Sequence, residues 1–347
     1  MTRVHQVTGA AGRHDAVTGQ MLAYDDLLRQ WGLAGGMHAV RVAPDAPTAV
    51  APVSALAAGP DDLVLIHYSG WIPGMGALLD LPQRKALVYH NITPAKYFWS
   101  VHPAVAVICE VGRDKLPALV GAASATAGVS AYNADELRAV GAPDPRVVPI
   151  LADPARLAHN GSPAADDGPL VLAVGRVAPH KRPDLVIRAF AQYQRLHAPG
   201  ARLLCAGALQ HPPYRARLEG LVEEVGAKRV QLAGALEDDE LARAYAEASV
   251  MLSLSEHEGF CIPLLEGFHA GVPVVARPSG GMPEVGGDAV LWVDEPDLGL
   301  VAELLHLAVT DEDLRTELVR RGRLRAQEFA PERVAEAVRS LVDSALG

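Results

Sequence analysis

The chain has 347 residues, half of them hydrophobic and 21% charged, a composition typical of a globular protein with two domains. Its 31 Lys and Arg against 41 Asp and Glu give a net charge of −10, which argues against nucleic acid or an anionic membrane surface as a partner. No apolar run approaches the roughly 20 residues of a membrane span, we recognise no signal peptide, and the 3 widely spaced cysteines fit reduced thiols. We therefore expect a cytoplasmic protein without peripheral membrane contact, and we leave its oligomeric state open.

The first half of the chain predicts a series of strands separated by less regular segments. The strand candidates are residues 4–9, 37–43, 62–68, 85–91, 124–130 and 146–151. The stretch HDAVTG follows the first of them and predicts the start of a helix. His14, Asp15, Thr18 and Gly19 are therefore candidate contacts for a donor or acceptor substrate, with a helix N-cap and a turn as the alternative.

The second half alternates strands and helices regularly, after a Gly/Pro/Asp-rich stretch at 151–169 that predicts a linker. The strands are predicted at 170–176, 201–207, 229–234, 250–255 and 272–278, with helices at 183–198, 214–226 and 238–249 between them. This alternation indicates parallel sheets with helices on both faces. We predict an α/β protein of two doubly wound Rossmann-like domains, 1–165 and 166–330, facing each other across a ligand cleft. Residues 331–347 are predicted to form a helix that packs on the first domain.

The stretch SEHEGFCIPLLEGFHAGVPVV places two carboxylates around the start of a predicted helix. Pro263 suits the first helical position and Gly271 the end. The free N–H groups of that helix start form an anion site, which Gly259 allows a phosphate to approach closely. A carboxylate beside a phosphate is repelled by it, so Glu258 and Glu266 suit sugar and ribose hydroxyl groups. For an isolated pair of glutamates, the alternative is a capped loop and a solvated helix face.

Two cations and a histidine complete the candidate site. Arg176 and Lys181 follow the strand at 170–176 and would supply the positive charge that a diphosphate leaving group needs, although cations at strand ends are often surface charges. His90 and Asn91 end the strand at 85–91, at the predicted cleft edge. A histidine in such a place is more often structural, but its polar neighbours favour a role in binding or catalysis.

The segments GRVAPHKRPD, SEHEGFCIPLLEGFHAGVPVVA and SGGMPE together resemble the retaining family 4 glycosyltransferases, or glycosyl transferases group 1, of the GT-B fold. The resemblance covers roughly 170–295. LVYHNITPAKYF (87–98) is similar to the His-Asn-Ile-Thr-Pro element of one subgroup, and GRHDAVTGQ (12–20) to its first loop, with His14 where the subgroup has glycine.

The resemblance implies a role for each matching residue. Glu258 would contact hydroxyls of the donor sugar and Glu266 the ribose. Arg176 and Lys181 would bind the pyrophosphate, and His90 would reach the donor sugar and the reacting centre. Further donor-binding positions implied in this way are Gly207, Leu236, Gly259, Phe260, Cys261, Ile262 and Leu264.

The expected function is transfer of a sugar from a UDP- or GDP-linked donor to a hydroxyl of a small-molecule, glycan or natural-product acceptor. The resemblance implies retained anomeric configuration and no metal or other cofactor. The alternatives are a phosphorylase, synthase or epimerase on the same scaffold, or a non-catalytic nucleotide-sugar-binding protein. We find no acid-base pair suited to an epimerase. A Rossmann dehydrogenase is disfavoured because TGAAGRHDAVTG lacks Gly-x-Gly-x-x-Gly.

Overall fold

The structure, a computed structural model, describes residues 2–152, 154–157, 167–208, 211–295 and 297–347. The chain divides into two compact units. The first unit runs to Leu151 and resumes at Ala330, and the second unit runs from Ala152 to Phe329. The predicted boundary at 165/166 and most of the predicted linker at 151–169 lie outside the described residues.

The first unit is built on a seven-stranded parallel sheet. Its strands β1 to β7 are Val4–Ala11, Ala34–Val42, Val50–Pro52, Leu63–Tyr68, Arg84–Tyr89, Ala125–Gly128 and Arg146–Val147. Their order in the sheet is β3-β2-β1-β4-β5-β6-β7, so the winding direction reverses between β1 and β4. Every residue of β4 is buried, because helices cover both faces of the sheet.

The second unit has a six-stranded parallel sheet of the same kind. Strands β8 to β13 are Leu170–Val174, Arg202–Ala206, Val230–Gly234, Val250–Ser253, Val274–Ala276 and Val290–Trp292. Their order is β10-β9-β8-β11-β12-β13, which places the reversal between β8 and β11. In open parallel sheets of this type, ligands bind at the carboxyl ends of the strands beside such a reversal.

The α-helices pack against these sheets. Helices α1 to α11 are Ala16–Gln30, Pro103–Ala122, Ala131–Ala139, Pro183–Leu196, Pro212–Glu224, Asp238–Glu247, Ile262–Ala270, Met282–Gly286, Leu298–Thr310, Glu312–Glu328 and Pro331–Leu346. Helix α11 belongs to the first unit, where it contacts β5 and β6. Within the described residues, no helix combines the length and apolarity required to cross a membrane.

The predicted fold class, two doubly wound Rossmann-like α/β domains, is confirmed. Each predicted strand coincides with an observed one. The strand predicted at 146–151 is shorter in the structure, where β7 consists of Arg146–Val147. The edge strands β3 and β13 have no counterpart in the prediction because three residues carry too little alternation to be recognised. Helix α7 begins at Ile262, so Pro263 occupies the second helical position rather than the predicted first.

Candidate functional site

The carboxyl ends of β8 and β11 lie side by side at the reversal of the second sheet, and the polar loops that follow them meet there. Arg176 comes two residues after β8, and Glu258 lies in the loop between β11 and α7. A small cavity at this edge is lined by residues that include Gly175, Arg176, Lys181, Cys205, Ser253 and Ser255. The parallel sheet thus brings Arg176 and Lys181, both predicted site residues, to one cavity.

Gly207 has a steric role at this edge. Its φ is +152°, and a Cβ at this position would lie 2.0 Å from the carbonyl oxygen of Gly175. The amide of Gly175 donates to the carbonyl of Ala206 at 2.9 Å, so the loops after β8 and β9 run in direct contact. Glycine at 207 is therefore needed for the backbone approach, whatever it contributes to donor binding.

Lys181 and Glu258, for which the sequence predicted different partners, form an ion pair with each other. Lys181 Nζ lies 2.5 Å from Glu258 Oε1, and the two side chains are 21% and 9% exposed. A carboxylate as buried as this one needs a compensating charge or hydrogen bond. The pair therefore holds a cation and an anion at the sheet edge, each with a partner that a ligand would have to replace.

The neighbouring cation differs from Lys181 in its surroundings. Arg176 is exposed, and among the described residues it has no carboxylate within ion-pair distance. His180 lies between the two cations in the sequence. Burial, together with the charges of Lys181 and Arg176, holds the pKa of His180 well below its usual range. His180 is therefore neutral, and Arg176 provides an accessible positive charge at the edge of the cavity.

The start of α7 is where the sequence predicts an anion site, and that site stays a prediction. Cys261 is the N-cap with a left-handed φ of 75°, and its side chain does not cap the helix. The side chains of Phe260 and Leu264 are buried in the core, so these two residues can offer a ligand only their backbone. Burial also raises the pKa of the Cys261 thiol strongly, so this thiol is protonated and is not a nucleophile.

The loop from Ser279 to Gly281 holds the backbone of Glu258 in place. The amide of Gly281 donates to the Glu258 carbonyl oxygen at 2.9 Å. Gly280 has a φ of +55°, and a Cβ there would lie 2.0 Å from the same oxygen. The segment SGGMPE, noticed in the sequence as part of a motif, therefore acts on Glu258 through the backbone.

Glu266 lies one turn into α7 and is 8% exposed. Its Oε2 accepts a hydrogen bond of 2.8 Å from the hydroxyl of Tyr245, on α6. Burial raises the pKa of Glu266, and this effect is opposed by the Tyr245 hydrogen bond and by the charge of Arg156. Among the described residues only Oε2 has a hydrogen-bond partner, so Oε1 is available to accept one from a ligand.

Leu236, half-buried, lies between β10 and α6 at the same edge of the sheet.

We expect Tyr245→Phe to lower the free energy of unfolding by about 1.5–3 kcal/mol at pH 7, the range for a hydrogen bond to a charged group. Because burial raises the folded-state pKa of Glu266, its ionised form opposes folding above the unfolded value of about 4.3. Loss of the Tyr245 donor raises that pKa further. The loss of unfolding free energy in Tyr245→Phe, relative to wild type, is therefore largest at neutral pH and becomes smaller as the Glu266 carboxyl is protonated.

Urea denaturation at pH 7.5 and pH 5 tests this expectation. The control is Tyr193→Phe, since Tyr193 is an equally buried tyrosine of the second unit with no carboxylate partner among the described residues. A deficit for Tyr245→Phe that is equal at both pH values would show that the hydroxyl matters only for packing.

A charged network beside the site was not predicted from the sequence. Arg182 forms a bidentate pair with Asp184 at 2.9 Å and also pairs with Glu256, whose carboxylate accepts from Arg277 at 3.1 Å. Arg182 adopts a left-handed φ of 51° directly before Pro183. The network links the loops after β8, β11 and β12, and the only sequence signal for it is the charge density of HKRPD.

In the first unit, His90 and Asn91 follow β5 at the carboxyl edge of the sheet. Asn91 is 9% exposed, has a φ of 74°, and donates to Asn133 at 2.7 Å and to Glu136 at 3.1 Å. Arg113 pairs with the same Glu136 at 3.0 Å. The amide nitrogen of Asn91 thus anchors this loop, and the predicted contact of Asn91 with substrate stays a prediction.

His90 itself is half-buried. Its Nε2 lies 2.9 Å from Nδ1 of His67, a residue of β4 that the sequence did not single out. Burial lowers the pKa of His90 to about 3, so the imidazole is neutral at physiological pH.

The predicted loop at 14–19 forms the start of α1, after β1. Asp15 is the N-cap: its Oδ2 accepts from the amide of Thr18 at 2.8 Å and from the Thr18 hydroxyl at 3.0 Å. Thr18 is buried and also accepts from the amide of Gly12 at 3.2 Å. The capping alternative therefore describes Asp15 and Thr18, while His14 and Gly19 are exposed at the same edge.

Comparison with known families concerns mainly the second unit. The sequence model of the family described as glycosyl transferases group 1 matches residues 156–325. A D-inositol 3-phosphate glycosyltransferase of Acidothermus cellulolyticus is 33% identical over 193 residues, 52% of this chain and 42% of the relative. The O-antigen chain mannosyltransferase B of Escherichia coli is 33% identical over 101 residues, 29% of this chain and 26% of the relative. The chain thus spans less than half the length of these curated relatives.

Solved structures resemble the whole chain. HepE from Anabaena, in complex with UDP and glucose, superposes with a TM-score of 0.76 at 14% identity, covering 99% of this chain and 100% of HepE. Sucrose-phosphate synthase from Thermosynechococcus elongatus gives a TM-score of 0.76 at 21% identity, with 99% and 98% covered. At such identities the likeness shows the fold, which is that of the GT-B glycosyltransferases.

Proposed function

We propose that this chain, which belongs through residues 156–325 to the glycosyl transferases group 1 family, transfers a sugar from a nucleoside-diphosphate sugar to a hydroxyl group. The transfer retains the anomeric configuration and needs no metal ion. The observation that carries the proposal is the Lys181–Glu258 pair, at 2.5 Å, beside the uncapped start of α7.

The first requirement of such a reaction is stabilisation of the departing diphosphate. As the bond between sugar and phosphate breaks, negative charge accumulates on the phosphate oxygens. Lys181, Arg176 and the backbone N–H groups at the start of α7 can donate hydrogen bonds to these oxygens, and donors aimed at developing negative charge stabilise a transition state. Arg176 is the cation that is accessible without breaking an ion pair among the described residues.

The second requirement is orientation of the donor sugar. Sugar hydroxyls replace Lys181 as hydrogen-bond donors to Glu258, and Lys181 turns to the phosphate. Each member of the buried pair thus exchanges one partner for another, and neither charge is left uncompensated. Glu266 accepts a ribose hydroxyl at Oε1 while Tyr245 holds Oε2. Leu236 flanks the nucleobase.

The donor is a UDP- or GDP-linked sugar, and the acceptor is a hydroxylated small molecule or glycan. UDP-glucose is the first donor to test because HepE, a protein of the same fold, has been solved with UDP-glucose bound. The three cysteines are all buried, in keeping with the proposed location in the reducing cytoplasm.

Calorimetry with UDP, GDP, ADP and TDP, followed by donor-consumption assays with a panel of sugar and polyol acceptors, tests the proposal. We expect one diphosphate to bind more tightly than the others and the matching nucleotide sugar to be consumed only with an acceptor. Binding without consumption of any donor would instead indicate a nucleotide-sugar-binding protein. Sugar transfer from a sugar phosphate without nucleotide would indicate a phosphorylase.

The stereochemistry of the product is a separate expectation. With an α-linked donor such as UDP-glucose, the new glycosidic bond should also be α-linked, because the two-glutamate motif resembles that of retaining enzymes. The anomeric coupling constant of the isolated product, measured by proton NMR, decides the matter. A β-linked product would refute the retaining mechanism.

Independence from metal ions is expected because Lys181, Arg176 and the α7 start provide positive charge for the leaving group. Turnover in excess EDTA should stay within about twofold of the untreated rate, less than 0.5 kcal/mol of activation free energy. Dialysis against EDTA followed by assays with and without added magnesium or manganese measures this. A loss of turnover that either ion restores would show that cationic side chains alone do not stabilise the negative charge of the leaving group.

A further inference from the structure

A line of hydrogen-bonded side chains crosses the first sheet and ends at His90. Gln6 on β1 donates from Nε2 to the carbonyl of Met21 at 2.9 Å, and its Oε1 lies 2.9 Å from Nε2 of His67. Nδ1 of His67 lies 2.9 Å from Nε2 of His90. Gln6 and His67 are completely buried, so the line runs from the sheet interior to the half-buried His90.

The register of the strands explains why these side chains meet. Thr8 is paired with His67 across β1 and β4, and Gln6 lies two residues before Thr8 on the same face. His67 is paired with Val88 across β4 and β5, and His90 lies two residues after Val88. The three polar residues therefore form a diagonal on one face, across the reversal between β1 and β4.

The hydrogen bonds determine where each proton lies. Because the Gln6 amide nitrogen donates to a carbonyl, its oxygen must be the atom facing His67, and Nε2 of His67 must carry a proton. Burial, together with the nearby His90, keeps the pKa of His67 well below its usual range, so this ring is neutral and its Nδ1 is an acceptor. Nε2 of His90 must then donate to it.

We propose that Gln6 and His67 are positioning residues that hold His90 as its Nε2–H tautomer, with Nδ1 turned into a hydrogen-bond acceptor for a substrate hydroxyl. The substrate side of this inference rests on the proposed function. Among the described residues, Nδ1 of His90 has no hydrogen-bond partner, which leaves it available for such a hydroxyl. A neutral imidazole held in this way orients the hydroxyl and does not act as a cationic donor to phosphate.

Nitrogen NMR of the full chain with labelled histidine tests the tautomer directly, without substrate. The His90 signals are assigned by their loss in His90→Gln. We expect Nε2 of His90 to be protonated and Nδ1 to have the shift of an unprotonated acceptor. Protonation at Nδ1 in the wild-type protein would overturn the proposal.

Substitutions of His67 test whether it sets the tautomer. His67→Leu removes the acceptor, so we expect a mixture of His90 tautomers and turnover reduced about tenfold, with UDP affinity unchanged. His67→Asn returns an oxygen acceptor near the position of Nδ1 and should restore both the Nε2–H tautomer and most of the turnover. His38→Asn, at another buried histidine of the same sheet, is the control and should change neither.

An unchanged His90 tautomer in folded His67→Leu would overturn the proposal, as would His67→Asn behaving like His67→Leu. The NMR measurement of the His90 tautomer does not depend on the proposed function. A chain that holds His90 as Nε2–H but consumes no nucleotide sugar would refute the transferase and leave the tautomer assignment supported.

Discussion

Glu258→Gln should reduce turnover by roughly tenfold to a hundredfold while UDP binds as tightly as before or more tightly. The carboxylate is proposed to accept hydrogen bonds from donor-sugar hydroxyls, and a hydrogen bond to a charged group contributes about 1.5–3 kcal/mol. UDP has no sugar to lose this contact. In the unliganded protein Glu258 holds Lys181 at 2.5 Å, so the neutral amide releases the cation for phosphate.

Calorimetry with UDP and steady-state turnover with the preferred donor measure the two effects on the same preparation. Glu247→Gln is a matched control, because Glu247 also forms an ion pair. Its partner, Arg202, is the first residue of β9, so this pair lies at the opposite edge of the sheet. Turnover equal to wild type would remove Glu258 from the site. A loss of UDP affinity in a folded variant would place the carboxylate on the nucleotide instead of the sugar.

Lys181→Met should have two separable effects. Loss of a cation that donates to the leaving group is expected to reduce turnover by roughly a hundredfold to a thousandfold. The same change leaves the Glu258 side chain, only 9% exposed, without its counter-charge, and an unsatisfied buried group costs about 1–3 kcal/mol of unfolding free energy.

The double variant Lys181→Met with Glu258→Gln separates the two effects. It should regain most of the lost stability, because no charge remains buried alone, and it should regain none of the turnover. Urea denaturation and donor-consumption assays on the single and double variants measure both quantities. A double variant as unstable as Lys181→Met would show that the methylene chain of the lysine, and not its charge, supports this part of the fold.

The sequence predicted most of the second unit because its signals are local. Gly271 ends α7 with a left-handed φ of 70°, as its position in the sequence suggested. Asp311 caps α10 by accepting from the amide of Leu314, and the acidic residues Glu312 and Asp313 that follow it are typical of a first helical turn. Alternating apolar strands and helices of ordinary length then lead directly to a parallel sheet.

What the sequence could not predict depends on register and on contacts between distant loops. Gln6 and His67 read as single polar residues within apolar strands, and their hydrogen bond joins positions 61 residues apart. The pair of Lys181 and Glu258 likewise joins residues 77 positions apart. Residue types and spacing indicated that both residues belong to the site, but only the folded loops show that they are each other's partner.

The return of α11 to the first unit affects how the chain can be divided. The buried side chains of α11 include Val334, Val338, Leu341 and Val342, and the helix contacts β5 and β6. A fragment ending at Leu151 would therefore lack part of its own core, and a fragment from Ala152 to the end would carry that part as an exposed apolar helix. A single cut near residue 152 should consequently yield two pieces that remain associated through α11. Independent expression of the units requires residues 330–347 to be joined to the first unit by an engineered linker.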